Sequence, residues 1–250
     1  MHIIDIGTGN ACWLLELASQ SPPTWRLQGV DISSLNYPAD EYLPKNVSLS
    51  TLDVFGEIPN DMVNKFDVVH IRTFALIITH SEPMPLLKNL VNMLSGIPPL
   101  SLSKPGCYLQ WDEFDCSTLN AHAPNPHTGK KSCDELLRLW QLFARKTGLD
   151  FRWVSELSSS FNTSNLQVVD SLRLPPIDDL RKATTDNFMV GFEEIGGIAA
   201  GKSSELLGSH EEFRELFRKA IEETQQGVSL GLDMVEVVGR KPTDSSCSGS

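Results

Sequence analysis

Three aspartates stand in or at the C-terminal ends of three short apolar runs: Asp5 in Ile3-Ile4-Asp5-Ile6, Asp31 in Gln28-Gly29-Val30-Asp31, and Asp53 in Thr51-Leu52-Asp53-Val54. The first run passes directly into Gly7-Thr8-Gly9-Asn10, after which a helical pattern begins at Ala11. Glycine adopts backbone angles that other residues resist and lets a ligand come close to the chain. The helix start beyond it offers N–H groups to a polar or anionic group. A carboxylate ending the second strand can accept both hydroxyls of a ribose. A single aspartate in such a place is commonly a turn or cap residue. Three of them in register with a glycine turn point to a nucleoside-bearing ligand at the C-terminal edge of a parallel sheet, where open α/β sheets bind their ligands. A dinucleotide fits less well. Its fingerprint needs a small third residue where this chain has Cys12, followed by bulky Trp13, and it has no acid just before the glycines where this chain has Asp5.

A second constellation is Cys116, His122, His127 and Cys133, all residue types that bind zinc. No close Cys-x-x-Cys pair anchors it, and Cys133 also belongs to the apolar face of a helical pattern, so no metal is expected.

These residues need elements to hold them. Candidate strands are Ile3–Ile6, Leu27–Asp31, Val47–Leu52, Phe66–Ile71, Tyr108–Trp111 and Met234–Val238, with helices near Ala11–Ser19 and Met84–Leu94. Strands alternating with helices predict a parallel sheet covered on both faces. Ser132-Cys133-Asp134-Glu135 and Ser209-His210-Glu211-Glu212 read as capping boxes opening two amphipathic helices, which end at Gly148 and Gly227. No linker is visible, which predicts one domain over 1–242, with a helical lid inserted before the last strand. The Ser/Gly-rich end, 243–250, reads as a disordered tail.

The chain has 250 residues and a net charge of −11, and no Lys/Arg run exceeds two residues. That argues against nucleic acid and against anionic lipid as partners. No apolar run approaches the ~20 residues of a membrane span. Five cysteines at irregular spacing suggest a reducing compartment, hence a cytoplasmic protein. A chain whose first core strand starts at once reads as truncated relative to its relatives.

Four segments together resemble the successive motifs of class I S-adenosylmethionine-dependent methyltransferases: Asp5-Ile6-Gly7-Thr8-Gly9, Gly29-Val30-Asp31-Ile32-Ser33, Phe66-Asp67-Val68-Val69-His70-Ile71-Arg72 and Lys104-Pro105-Gly106-Cys107-Tyr108-Leu109-Gln110. His70-Ile71-Arg72 and Trp111-Asp112-Glu113-Phe114 are similar to the fungal branch often encoded beside secondary-metabolite genes. The resemblance covers residues 3–115 closely and Val235–Pro242 more loosely. It implies a Rossmann-like α/β fold whose seven-stranded sheet is mostly parallel with the last strand antiparallel. Residues 1–115 would then bind the cofactor, and 116–233 would supply the lid and acceptor region. The implied cofactor is S-adenosyl-L-methionine. Gly7, Thr8 and Gly9 would pass under its methionine part, with Asp5 orienting the turn or the ammonium group. Asp31, with Ile32 beside it, would hold the ribose, and Asp53 and Val54 would meet the adenine. His70 and Arg72 would sit where the fourth strand opens towards the methyl group. Methyl transfer is an in-line displacement needing alignment and exclusion of water, and a base only where the acceptor must lose a proton. Candidates for such a base are His70, Asp112, Glu113 and His80. The implied activity is methylation of an oxygen or nitrogen of a small natural product; a regulatory protein of the same fold, acting through partners, is the alternative. The family's helices before the first strand are absent, and Ser95–Ser103 intervenes where relatives run directly into Lys-Pro-Gly-Gly.

Overall fold

A computed structural model describes residues 1–96, 106–202 and 209–242, without the side chains of 197–202. Most of the Ser95–Ser103 segment, the Lys104-Pro105 pair, Cys247 and the tail from Thr243 lie outside the described residues.

The apolar runs become strands: β1 (His2–Ile6), β2 (Arg26–Asp31), β3 (Val47–Thr51) and β4 (Val68–Arg72). Between them, α1 (Cys12–Gln20) follows the glycine turn, and α2 (Met84–Met93) leads on to β5 (Cys107–His122). Phe66, expected as a strand residue, makes only an isolated bridge to Leu94. Seven strands form one sheet in the order β3-β2-β1-β4-β5-β7-β6. β1 pairs in parallel with both β2 and β4, so the strand order reverses at the glycine turn. Ligand crevices of open sheets form at this kind of reversal.

α1 covers one face of the sheet through Leu14, against Ile3, Leu27 and Val47. α2 covers the other with Leu86, Leu87 and Leu90, in a core that includes Ile4, Ile6, Val69 and Ile71. Alternate residues of β1 therefore serve different faces, as the pleat requires.

β5 is much longer than Tyr108–Trp111. Beyond its last pairing with β4 at Asp112, it continues to His122 alongside β7 (Ser229–Lys241) as an antiparallel ribbon. This ribbon supports α3 (Lys131–Lys146) and α6 (Arg181–Lys202), and α7 (His210–Gln225) packs on both of these helices. The short helices α4 (Arg152–Ser155) and α5 (Leu157–Thr163) lead into β6 (Gln167–Leu174), which pairs antiparallel with β7 at the sheet's edge. The region before the last strand thus contains a strand as well as helices. Buried Asp115 joins them, accepting from Ser117 N, Ser155 Oγ and Arg173 Nη1.

The two expected capping boxes part ways. Ser209 and Glu212 cap α7 reciprocally. Ser132 caps nothing: α3 starts at Lys131, and Glu135 pairs with Arg138 instead. Glu223, from α7, accepts from Ser132 N at 3.0 Å and Cys133 N at 2.8 Å. A carboxylate from a neighbouring helix supersedes the local motif because it satisfies two orphan N–H groups at once.

Candidate functional site

The glycine turn is held from below. Gly7 and Gly9 have φ of +66° and +57°, and Ala11 follows at +60°. Thr8 is buried; its N–H donates to Val30 O at 3.0 Å and its hydroxyl to Asp5 Oδ2 at 2.7 Å. Gly9 N–H donates to Asp31 Oδ2 at 2.9 Å, which fixes the turn against the end of β2.

Above the turn a pocket of about 190 Å³ opens at the C-terminal edge of the sheet. Gly7, Asp31, Ile32, Asp53, Val54 and Arg72 all line it. These are six of the expected cofactor residues, drawn from the ends of four different strands. Asp31 uses one lone pair on each oxygen, towards Gly9 N and Ser33 N, and a carboxylate has about four such positions. Asp53 forms an Asx turn with Phe55 N, and the Val54 carbonyl accepts from Asn89 Nδ2. Ile32 is 75% exposed and Phe55 46%, so an apolar wall stands open beside the two carboxylates. Thr73, Phe74 and Ile77, from the segment after β4, also line it, and the expected site omitted them. Phe74's ring lies so close to Gly7 that a Cβ there would come within 2.6 Å of it. Only glycine fits beneath this ring.

Asp5, Thr8 and His70 lie behind the pocket rather than on its wall. His70 is 1% exposed on the α1 side of the sheet. Its Nδ1 meets Asp5 Oδ1 at 2.7 Å and its Nε2 meets Asp112 Oδ2 at 3.4 Å. Both ring nitrogens thus face carboxylates. Burial disfavours the imidazolium, but the hydrogen bonds and charges of Asp112 and Asp5 outweigh it and raise the pKa above 6.5. Trp13 stacks on the ring with centroids 3.8 Å apart and planes 6° from parallel. The bulky residue after the glycine turn thus covers a buried histidine, a role its sequence position does not advertise.

Glu113 lies on the opposite face and is buried. It accepts from Phe74 N at 2.7 Å, Trp111 Nε1 at 3.1 Å and Phe114 N at 3.0 Å. Burial pushes its pKa up to about 7, although these donors favour the charged form. Its role here is to hold the Thr73–Ile78 loop that walls the pocket. Among the described residues no group of three or more His, Cys, Asp and Glu is placed to hold a metal ion.

The strand order, the antiparallel β7 and the glycine turn at the reversal make this a class I S-adenosylmethionine-dependent methyltransferase fold. No protein-family profile matches the chain. It is similar to methyltransferase grgD of a Penicillium species, 27% identical over 145 residues, which is 55% of this chain and 46% of that one. N-methyltransferase verN of Clonostachys rogersoniana is 30% identical over 124 residues, 50% of this chain and 40% of the relative. N-methyltransferase tcpN of Claviceps purpurea (strain 20.1) is 33% identical over 113 residues, 45% and 37% of the two chains. The matches span less than half the length of these curated relatives. Among solved structures, the [4+2]-cyclase SpnF superposes with a TM-score of 0.53 at 14% identity, covering 96% of this chain and 75% of that one. Phosphoethanolamine N-methyltransferase 2 of Haemonchus contortus, solved with phosphomonomethylethanolamine and S-adenosylhomocysteine, also scores 0.53 at 14% identity, covering 97% of this chain and 49% of its own. No helix among the described residues is long and apolar enough to cross a membrane.

Proposed function

We propose that this protein binds S-adenosylmethionine and transfers its methyl group to a nitrogen or oxygen of a small natural product, in fungal secondary metabolism. The observation that carries this reading is the pocket: Asp31, Asp53 and the glycine turn converge there at the strand-order reversal, with an open apolar wall between Ile32 and Phe55. The residues present fit the group. Asp31 has free lone pairs for a ribose, Ile32 and Phe55 offer apolar contact to adenine, and Gly7 brings bare backbone to the pocket wall. The similarity to named fungal methyltransferases supports the same reading.

When bound, S-adenosylmethionine supplies an electrophilic methyl on a good leaving group. The chain's part is to bind, align and keep out water. Arg72, exposed at the pocket, offers its guanidinium to a carboxylate. The pocket is smaller than the ~300–1,000 Å³ of ordinary ligand sites, and the Phe74 ring over Gly7 takes up part of the space. Neither His70 nor Glu113 stands free to take a proton: both imidazole nitrogens face carboxylates, and both Glu113 oxygens accept N–H groups. His70, Asp112 and Glu113 are in this reading positioning residues.

Titration calorimetry with S-adenosylhomocysteine tests the proposal. The native chain should bind it, and Asp31→Ala should weaken binding at least about tenfold, since a charge-assisted hydrogen bond contributes about 1.5–3 kcal/mol. Unchanged affinity in a folded Asp31→Ala protein rejects the ribose assignment.

A further inference from the structure

Beside the cofactor pocket lies a second, larger hollow of about 780 Å³. The segment after β4 separates the two: Phe74 and Ile77 face the first, and His80 faces the second. That segment is pinned to the far wall. His80 N–H donates to Gly148 O at 2.7 Å, and Ser81 Oγ donates to Asp150 O at 2.9 Å. Both residues hold left-handed backbone angles, φ +58° and +57°, a conformation that persists only where the surroundings enforce it. The hollow therefore lies one chain segment away from the pocket, on the other side of residues 74–80.

Its lining is divided in character. Cys116, Ala144 and Phe151 are buried and give an apolar floor, while Gln141, Arg145 and Arg152 form the rim. Among the described residues Asp150 is the only carboxylate in the lining, and Arg152 closes on it at 2.9 Å, holding its pKa down to about 2. Arg145 makes no ion pair among the described residues. It stands one helical turn after Gln141, so an amide and a guanidinium share the rim face of α3. In a chain of net charge −11, an unneutralised guanidinium over an apolar floor is a local reversal of sign.

We infer that this hollow receives the methyl acceptor and selects one bearing a carboxylate on a flat apolar frame, with Arg145 as the charged anchor. The inference rests on the methyl-transfer reading for its meaning. Guanidinium matches carboxylate geometry with two parallel N–H donors. Arg145 is the specificity-determining residue, and the floor accommodates the ring. The volume falls within the range of small-molecule sites.

Indole-3-acetate and its neutral counterpart indole-3-acetamide are the probes, titrated into the full chain by ligand-observed NMR. The acetate should bind at least about tenfold more tightly than the amide. Arg145→Met should remove that difference and leave the amide's affinity unchanged. Gln141→Trp, at an exposed helical position on the rim, should narrow the hollow and weaken both. Equal affinity of the two probes for the native chain, no binding of either at millimolar concentration, or a preference that survives Arg145→Met overturns the inference. Calorimetry with S-adenosylhomocysteine on the same sample separates the two ideas. Cofactor binding without carboxylate preference removes only the acceptor inference. Carboxylate preference without cofactor binding removes the methyl-transfer reading and keeps the anion site.

Discussion

Asp112 and Glu113 are neighbours on β5, yet the structure uses them in opposite ways. Consecutive strand residues point to opposite faces. Asp112 turns to the α1 side and joins a buried triad with His70 and Asp5, under the Trp13 ring. Glu113 turns to the other side and collects N–H groups from Phe74, Trp111 and Phe114. On the first face burial is compensated by opposite charge. On the second it is compensated by neutral donors alone, which is why Glu113 holds its proton up to about 7. Each face braces a different wall of the same pocket: the triad holds Thr8 and the glycine turn, and Glu113 holds Phe74. Two acids that read from sequence as candidate bases both hold hydrogen-bond partners within the protein.

The comparison breaks most visibly at Asp5. Its Oδ1 meets His70 and its Oδ2 accepts from Thr8, so Asp5→Ala leaves a buried imidazolium with Asp112 as its remaining partner at 3.4 Å. Removing one member of a buried charge pair costs about 3–5 kcal/mol. Urea unfolding of Asp5→Ala should show a loss of that size, and Asp5→Ala combined with His70→Leu should recover a good part of it. A loss below about 1 kcal/mol, outside the range for breaking a buried pair, would show that the triad is not charged.

Glu113 sharpens the contrast through pH. Its folded pKa of about 7 lies above its ordinary 4.5. Between these values the folded state binds more protons than the unfolded one, so stability falls as pH rises across that window. The span amounts to about 3 kcal/mol. His70 acts in a different window. Its folded pKa is raised above 6.5, so its contribution is complete below 6.5 and is lost as pH rises through the folded value. Comparing the stability curves of Glu113→Gln and the native chain from pH 4.5 to 8 should show a difference whose slope is concentrated below about 7. A difference that is flat with pH would mean that Glu113 stays ionised when folded.

Much of the pocket was legible because its chemistry is local. Gly7, Asp31 and Asp53 each lie at the end of an apolar run, and strand ends carry ligands whatever the rest of the chain does. The seven-stranded order came from the resemblance, since pattern alone showed six strands. β6 was hidden because it is an edge strand exposed on both faces, with no hydrophobic alternation to betray it. The Ser132 box misled because its competitor, Glu223, lies 91 residues away in sequence. Phe74 as a pocket wall was not readable, since its place depends on Glu113 across the sheet. Trp13 was read only as too large for a dinucleotide turn, because its partner, His70, belongs to a different strand.

Trp13 supplies the smallest and most discriminating test. A stacked indole stabilises a neighbouring ring by packing whether or not that ring is charged, and by attraction to the charge only when it is. Trp13→Leu keeps much of the apolar cover but removes the π face. It should lower stability by about 1 kcal/mol at pH 5, where His70 carries its charge. Towards pH 9 the same substitution should cost less, because the charge term fades as pH rises through the raised pKa of His70. Trp13→Phe should fall between the two at both pH values. Unfolding free energies of the three proteins at two pH values decide the matter. A Trp13→Leu penalty that is equal at pH 5 and pH 9 would show that the indole only fills space, and that the α1 face, like the Glu113 face, is held without a permanent buried charge.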